Sequence, residues 1–140
     1  MTGMRSSRSA IPQVAGLHDT RRRGYSHVVR VGEILFLAGQ CGLDEHGKIV
    51  SSEFGHQAKR AMERVRLALE AAGATISDIV NMTVYLVDVG DADELLELRN
   101  EFYADYFPED SYPASTTIVV DALLPQGGLV EIQVQATLAQ

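Results

Sequence analysis

Glu131 stands in the run Val130-Glu131-Ile132-Gln133-Val134-Gln135-Ala136, a carboxylate on the polar side of an alternating segment. In a partly desolvated cleft such a group can place a water molecule and carry its proton. The plainer reading is a solvated acid on a strand. Tyr25 and His27 stand two residues apart and share a face if their strand is unbroken. A tyrosine there offers a hydroxyl or a pocket wall, and a neutral histidine offers a donor or an acceptor. Both are also ordinary structural residues. Cys41 follows Gln40 with no base or cation close in sequence, so a buried, unreactive thiol is expected. The Arg21–Arg23 run could draw an anion into a cleft or simply be a solvated surface segment. Arg30 falls on the face opposite Tyr25. His18, His27, His46 and His56 lack the close spacing of metal ligands. The glycines form no phosphate loop, so no cofactor and no metal are expected.

These residues need elements to hold them. Tyr25–Val31 reads as a strand, Gly32-Glu33 as a type II′ turn and Ile34–Ala38 as a second strand. Asp44-Glu45-His46-Gly47 is a loop. Phe54, Ala58, Ala61, Met62, Val65, Ala68, Leu69 and Ala72 recur at three- and four-residue spacing, which predicts a helix over Ser52–Ala72 stopped by Gly73. Ile76–Val87 is a strand with Met82, Val84 and Leu86 on one face and Thr83, Tyr85 and Val87 on the other. Asp91 and Glu94 resemble a capping box for a second helix, with Leu95, Leu98, Phe102 and Tyr106 as its stripe and Pro108 at its end. Ser115–Asp121 and Leu129–Leu138 are the last strands. The order is ββαβαββ. A mixed α+β sheet with both helices on one face follows. Its other face mixes Thr, Gln and Glu with apolar groups, which predicts a closed homo-oligomer with clefts between subunits.

Composition bounds the answer. The chain has 140 residues, 46% hydrophobic, enough for one domain. One Cys excludes an internal disulfide. There is no signal-like or bilayer-length apolar run, so a cytoplasmic protein without a membrane partner is expected. The net charge is −7 and is unevenly spread. Residues 1–30 hold 6 Arg against Asp19, while residues 31–140 hold 6 basic and 18 acidic groups. An acidic body speaks against nucleic-acid binding. Residues 1–23, rich in Ser, Gly, Pro and Arg, are expected to form a flexible arm ahead of a domain spanning 24–140.

Ordered motifs along the chain resemble the YjgF/reactive-intermediate-deaminase (Rid) family. They are Gly24-Tyr25-Ser26-His27, Gly32, Leu37-Ala38-Gly39-Gln40, Ala71-Ala72-Gly73, Ser77-Asp78-Ile79-Val80, Asn100–Phe107, Tyr112-Pro113-Ala114 and Val130-Glu131-Ile132. The resemblance covers roughly residues 24–138. It implies a chorismate-mutase-like (YjgF-like) fold and a barrel-like homotrimer with three interface clefts. In enamine/imine deaminases of the family, an Arg after the Pro-Ala pair grips the substrate carboxylate and a Glu on the last strand orders the hydrolytic water. A Tyr on the first strand lines the pocket, and backbone near the Gly-Gln pair assists. By position these correspond to Ser115, Glu131, Tyr25, and Gly39 with Gln40. Thr117 stands where a Cys is frequent. Ser115 departs from the pattern, because a hydroxyl does not supply the planar fork of a guanidinium. The departure bears on imino-acid deamination and leaves the fold untouched.

Three functions are in competition. The first is a small-molecule hydrolase acting on reactive imines or enamines, with Glu131 catalytic and Tyr25, Gly39, Gln40, Ser115 and Thr117 binding substrate. The second is a non-catalytic trimer that binds a metabolite or a protein through the same cleft. The third, carried by older family naming, is a ribonuclease, which the acidic body disfavours.

Overall fold

The computed structural model describes residues 7–138. Seven strands and two helices follow one another: β1 Arg8–Ile11, β2 Val28–Val31, β3 Ile34–Leu37, β4 Gln40–Cys41, α1 Phe54–Ala71, β5 Ile79–Leu86, α2 Ala92–Tyr103, β6 Ala114–Val119 and β7 Val130–Thr137. They build one α+β sheet in the order β1-β2-β3-β7-β5-β6, with β4 also on β7. β5 and β6 run parallel, and the other pairs are antiparallel. The expected elements are all present, most ends moved by one to three residues, while α2 stops at Tyr103, well short of the expected end at Pro108.

The inner face of the sheet carries Leu35, Leu37, Met82, Val84, Leu86, Val130, Ile132, Val134 and Ala136, all buried. Both helices lie on this face. Ala58, Ala61, Val65, Ala68 and Leu69 of α1 pack there in the expected stripe. Each large aliphatic side chain taken out of water contributes about 1.5–3 kcal/mol, which makes this layer the main source of stability. The outer face presents Phe36, Thr83, Tyr85, Thr116, Ile118, Glu131, Gln133 and Gln135. Phe36 and Ile118 remain exposed. Gly32 has φ +61°, while Glu33 does not adopt positive φ, in keeping with the expected turn between β2 and β3.

Three expectations need correction. The segment read as an arm is built into the sheet over residues 8–11, where β1 pairs with β2. Val14 and Leu17 are buried in the core, which anchors the chain that follows. Residues 1–6 of that segment lie outside the described residues. Its structure escapes periodicity because a four-residue edge strand and two isolated apolar anchors make no repeat.

Asp91 does not cap α2. A 3-10 turn over Val89–Asp91 runs straight into the helix, so Asp91 has helical φ/ψ and no side-chain cap bond. Asp88, with extended backbone, accepts from the Gly90 N–H at 2.8 Å instead.

The stripe of α2 also differs in detail: Tyr103 joins it, Leu98 and Phe102 pack against the core only partly buried, and Tyr106 lies past the helix end. Leu95 and Tyr103 are the buried residues of that helix, and the Tyr103 hydroxyl donates to Met82 Sδ at 3.1 Å.

One irregularity matters for function. Along β7, the antiparallel partner register advances by one residue between Phe36↔Gln135 and Gln40↔Ile132. The chain bulges at Ala38-Gly39. The bulge reverses side-chain parity, so Gln40 turns into the core and Cys41 lies beside Glu131.

Candidate functional site

Next to the bulge a cleft of about 250 Å³ opens, walled by Tyr25, Ala38, Gly39, Gln40, Cys41 and Glu131. His18, Arg23, Leu43, Arg64, Leu124 and Pro125 complete its lining. Tyr25, Gly39, Gln40 and Glu131 are thus brought together as expected from sequence. Ser115 and Thr117 are not. They lie on β6, which β5 separates from β7. The Ser115 hydroxyl accepts a hydrogen bond from Arg99 Nη1 at 2.8 Å.

Gly39 explains why the acid can approach the chain so closely. A Cβ on residue 39 would lie 2.7 Å from Glu131 Cδ and 2.9 Å from its Cγ. The absent side chain is the room in which the carboxyl group sits. The Cys41 thiol donates to Glu131 Oε1 at 3.5 Å. Burial and then the neighbouring carboxylate push that thiol up to about 12, so it remains an S–H donor and no nucleophile.

Behind the cleft stands Arg64, fully buried on α1. Its Nε donates to Gln40 Oε1 (3.0 Å), and its Nη1 to the carbonyls of Leu43 (3.3 Å) and Asp44 (3.0 Å). Its Nη2 lies 2.8 Å from His18 Nδ1. Burial first, then the Arg60 charge, lowers its pKa to about 10, which keeps it charged at neutral pH.

A guanidinium can only donate, so it sets the direction of every bond beyond it. His18 Nδ1 must accept. The ring proton of His18 is therefore on Nε2, which reaches the Tyr25 hydroxyl at 3.0 Å. The Tyr25 oxygen accepts that proton and retains its own O–H to give.

A second branch runs from Arg64 through Gln40 to His27 Nδ1 at 3.1 Å. His27 Nε2–H ends it on the His18 carbonyl at 2.7 Å. Burial, reinforced by Arg64, holds both imidazoles neutral: His18 falls to about 4 and His27 below its usual value. Burial raises the Tyr25 hydroxyl above its ordinary pKa, against the Arg23 and Arg64 charges, so it stays protonated.

His27 itself does not enter the cleft. β2 begins at Val28, so the expected shared strand face with Tyr25 does not form; His27 is buried and supports Gln40. Arg30 is also out of play, since its Nε donates to the Gly32 carbonyl at 2.7 Å across the hairpin turn.

Sequence reasoning missed His18, Arg64 and Gln57. Two of these had a legible signal: Gln57, Ala61, Arg64 and Ala68 fall at spacings of four, three and four on the apolar face of α1. Polar groups within such a stripe must be satisfied internally. Gln57 bonds the Ser51 and Gly127 carbonyls and the Leu129 N–H at 2.8–2.9 Å, tying α1 to the loop that carries Leu124. His18 had no signal.

Among the described residues no group of three or more His, Cys, Asp or Glu side chains comes together as a metal cage. No described helix is long and apolar enough to cross a membrane.

Comparison with known proteins bears on the family and the fold. The family model described as Endoribonuclease L-PSP matches residues 19–138. A RutC family protein of Pyrococcus abyssi is 40% identical over 110 residues, 78% of this chain and 82% of that protein. The 2-iminobutanoate/2-iminopropanoate deaminase of Homo sapiens is 34% identical over 113 residues, 80% of this chain and 78% of the other. The crystal structure of a Mycobacterium tuberculosis member of the YjgF/YER057c/UK114 family superposes with a TM-score of 0.77 at 28% identity, covering 94% of this chain and 100% of the other. With most of the chain matched in sequence and in backbone, the protein belongs to the Endoribonuclease L-PSP family, the YjgF/Rid family.

Proposed function

We propose that the protein is an imine hydrolase, releasing ammonia from small reactive imines in the Glu131 cleft. The observation that carries this reading is the placement of Glu131 beside Gly39, in the same cleft as a Tyr25 hydroxyl whose proton is free to donate. The deaminase activity of relatives supports it at family level.

Water held by the Glu131 carboxylate adds its oxygen to the imine carbon. One water proton passes to the carboxylate and on to nitrogen, giving a carbinolamine. The second proton follows as the C–N bond breaks, leaving a carbonyl product and ammonia. The Tyr25 O–H is a donor for the polar atoms of the substrate, and the Cys41 S–H stays on Glu131. Nothing in this sequence of proton transfers needs a cofactor. We further infer a homotrimer that completes each cleft with a neighbouring chain. The exposed Phe36 and Ile118 of the outer sheet face support that assembly.

The alternative is a non-catalytic metabolite- or protein-binding trimer, and Ser115 in place of a guanidinium favours it. The two separate in one assay. An amino-acid oxidase generates 2-iminopropanoate or a bulkier imine in situ, and the rate of keto-acid appearance is followed. Acceleration abolished by Glu131→Ala supports the hydrolase. No acceleration over a broad imine panel overturns it.

A further inference from the structure

A carboxylate-bearing substrate entering this cleft meets the Glu131 carboxylate, so a cation is needed at the far end to hold it. Ser115 is a neutral hydroxyl on another strand, engaged with Arg99. Arg64 stands behind the wall and is fully buried, its donors turned to Gln40, two carbonyls and His18. Arg23 differs from both. It is exposed, it lines the same cleft as Glu131, and its guanidinium makes no hydrogen bond or ion pair among the described residues.

The backbone that carries Arg23 is fixed. Arg21–Arg23 form a 3-10 turn, with Arg23 N–H on the Thr20 carbonyl at 2.9 Å. The turn is closed by Gly24 at φ +76°, a conformation suited to glycine. Thr20 is buried and its hydroxyl donates to the Pro12 carbonyl at 3.1 Å. Arg21 is held by Asp19 at 2.7 Å, so that acid is already taken up by Arg21. The Arg23 charge bears on His18 and Tyr25, which places it on the Tyr25 side of the cleft.

We propose that Arg23 is the residue that selects carboxylate-bearing substrates in this cleft, supplied by the same chain that supplies Glu131. The fork of the guanidinium matches a carboxylate with two parallel N–H···O bonds. A fixed backbone limits the ordering entropy of that grip to one side chain. The proposal rests on the imine-hydrolase reading and deepens it by naming a residue that sets substrate specificity.

The test compares wild type with Arg23→Gln, Arg23→Lys and Arg22→Gln. Each is assayed on 2-iminobutanoate, made by an amino-acid oxidase, and on a carboxylate-free imine, made by an amine oxidase from benzylamine. Binding of the product 2-oxobutanoate is measured in parallel by calorimetry. Arg23→Gln is expected to raise KM for 2-iminobutanoate and weaken 2-oxobutanoate at least about tenfold, with kcat nearly unchanged. Its KM for the carboxylate-free imine stays at the wild-type value. Arg23→Lys recovers part of the loss, and Arg22→Gln behaves as wild type.

The proposal is overturned if Arg23→Gln leaves 2-oxobutanoate binding unchanged, if both imines are affected equally, or if wild type binds no 2-oxobutanoate. If wild type hydrolyses neither imine yet binds 2-oxobutanoate through Arg23, the anchor stands and the hydrolase reading falls.

Discussion

Gly39 and Glu131 occupy a space that only one of them can fill. A Cβ on residue 39 would sit 2.7 Å from the Glu131 carboxyl carbon. Gly39 is absent from the positive-φ glycines, so alanine is tolerated by its backbone and the conflict is with the acid alone. Gly39→Ala is expected to push the carboxylate out of place and slow imine hydrolysis about 10- to 100-fold. The thermal midpoint should move little. A variant with wild-type kcat would show that the position of the carboxylate is not critical.

Glu131→Ala should cost at least about 100-fold in kcat, the usual contribution of a general base. Light scattering should find the same assembly as wild type, because Glu131 is only part-buried and bonds no backbone group. An equal rate in wild type and variant would mean that another group handles the water.

Arg64→Leu removes a buried charge that is held by Gln40, two carbonyls and His18. Those acceptors would be left without partners, at a net cost of about 2–4 kcal/mol in urea unfolding. It would also release the His18 tautomer and with it the donor role of Tyr25. An unchanged or raised urea midpoint would show that the cost of burying the guanidinium outweighs its bonds.

Acid should loosen the site before it unfolds the domain. His18 has a pKa of about 4 in the folded chain against 6.5 ordinarily, and His27 is lowered as well. Between those values the unfolded chain binds more protons, so stability rises with pH there. The contribution is complete above about pH 6.5 and is lost as pH falls toward 4. Urea midpoints measured from pH 7.5 to 4 should drop, and His18→Gln should flatten part of the slope. An imidazole resonance for His18 titrating near 6.5 would contradict the buried network.

Ser115→Arg tests assembly and site together. Within one chain residue 115 is two strands from Glu131, so a new guanidinium there reaches a cleft only through a neighbouring copy. If the clefts are completed between subunits, the variant should lower KM for 2-iminobutanoate by severalfold. A monomer at micromolar concentration by light scattering would remove that route.

The primary structure by itself determined the layered fold. Alternation along β5 and β7 and the stripe on α1 are encoded by nearest neighbours on each element, so the buried face can be read without knowing its partner. The same alternation put Glu131 on the outer face, and the family resemblance marked Ser115 as a departure from its pattern. What tertiary structure alone decided is how distant polar groups meet. The one-residue bulge at Ala38-Gly39 reverses the parity of Gln40 and Cys41, and a bulge depends on the strand alongside. The segment before Tyr25 has no period, and only its pairing with β2 and two buried anchors bring His18 and Arg23 to the cleft. Arg64 looks like a surface residue in composition, yet its charge is accommodated by acceptors from three separate parts of the chain. Local patterning records which side of an element avoids water. Long-range hydrogen bonds depend on where the fold places each end, and no short window of residues contains that information.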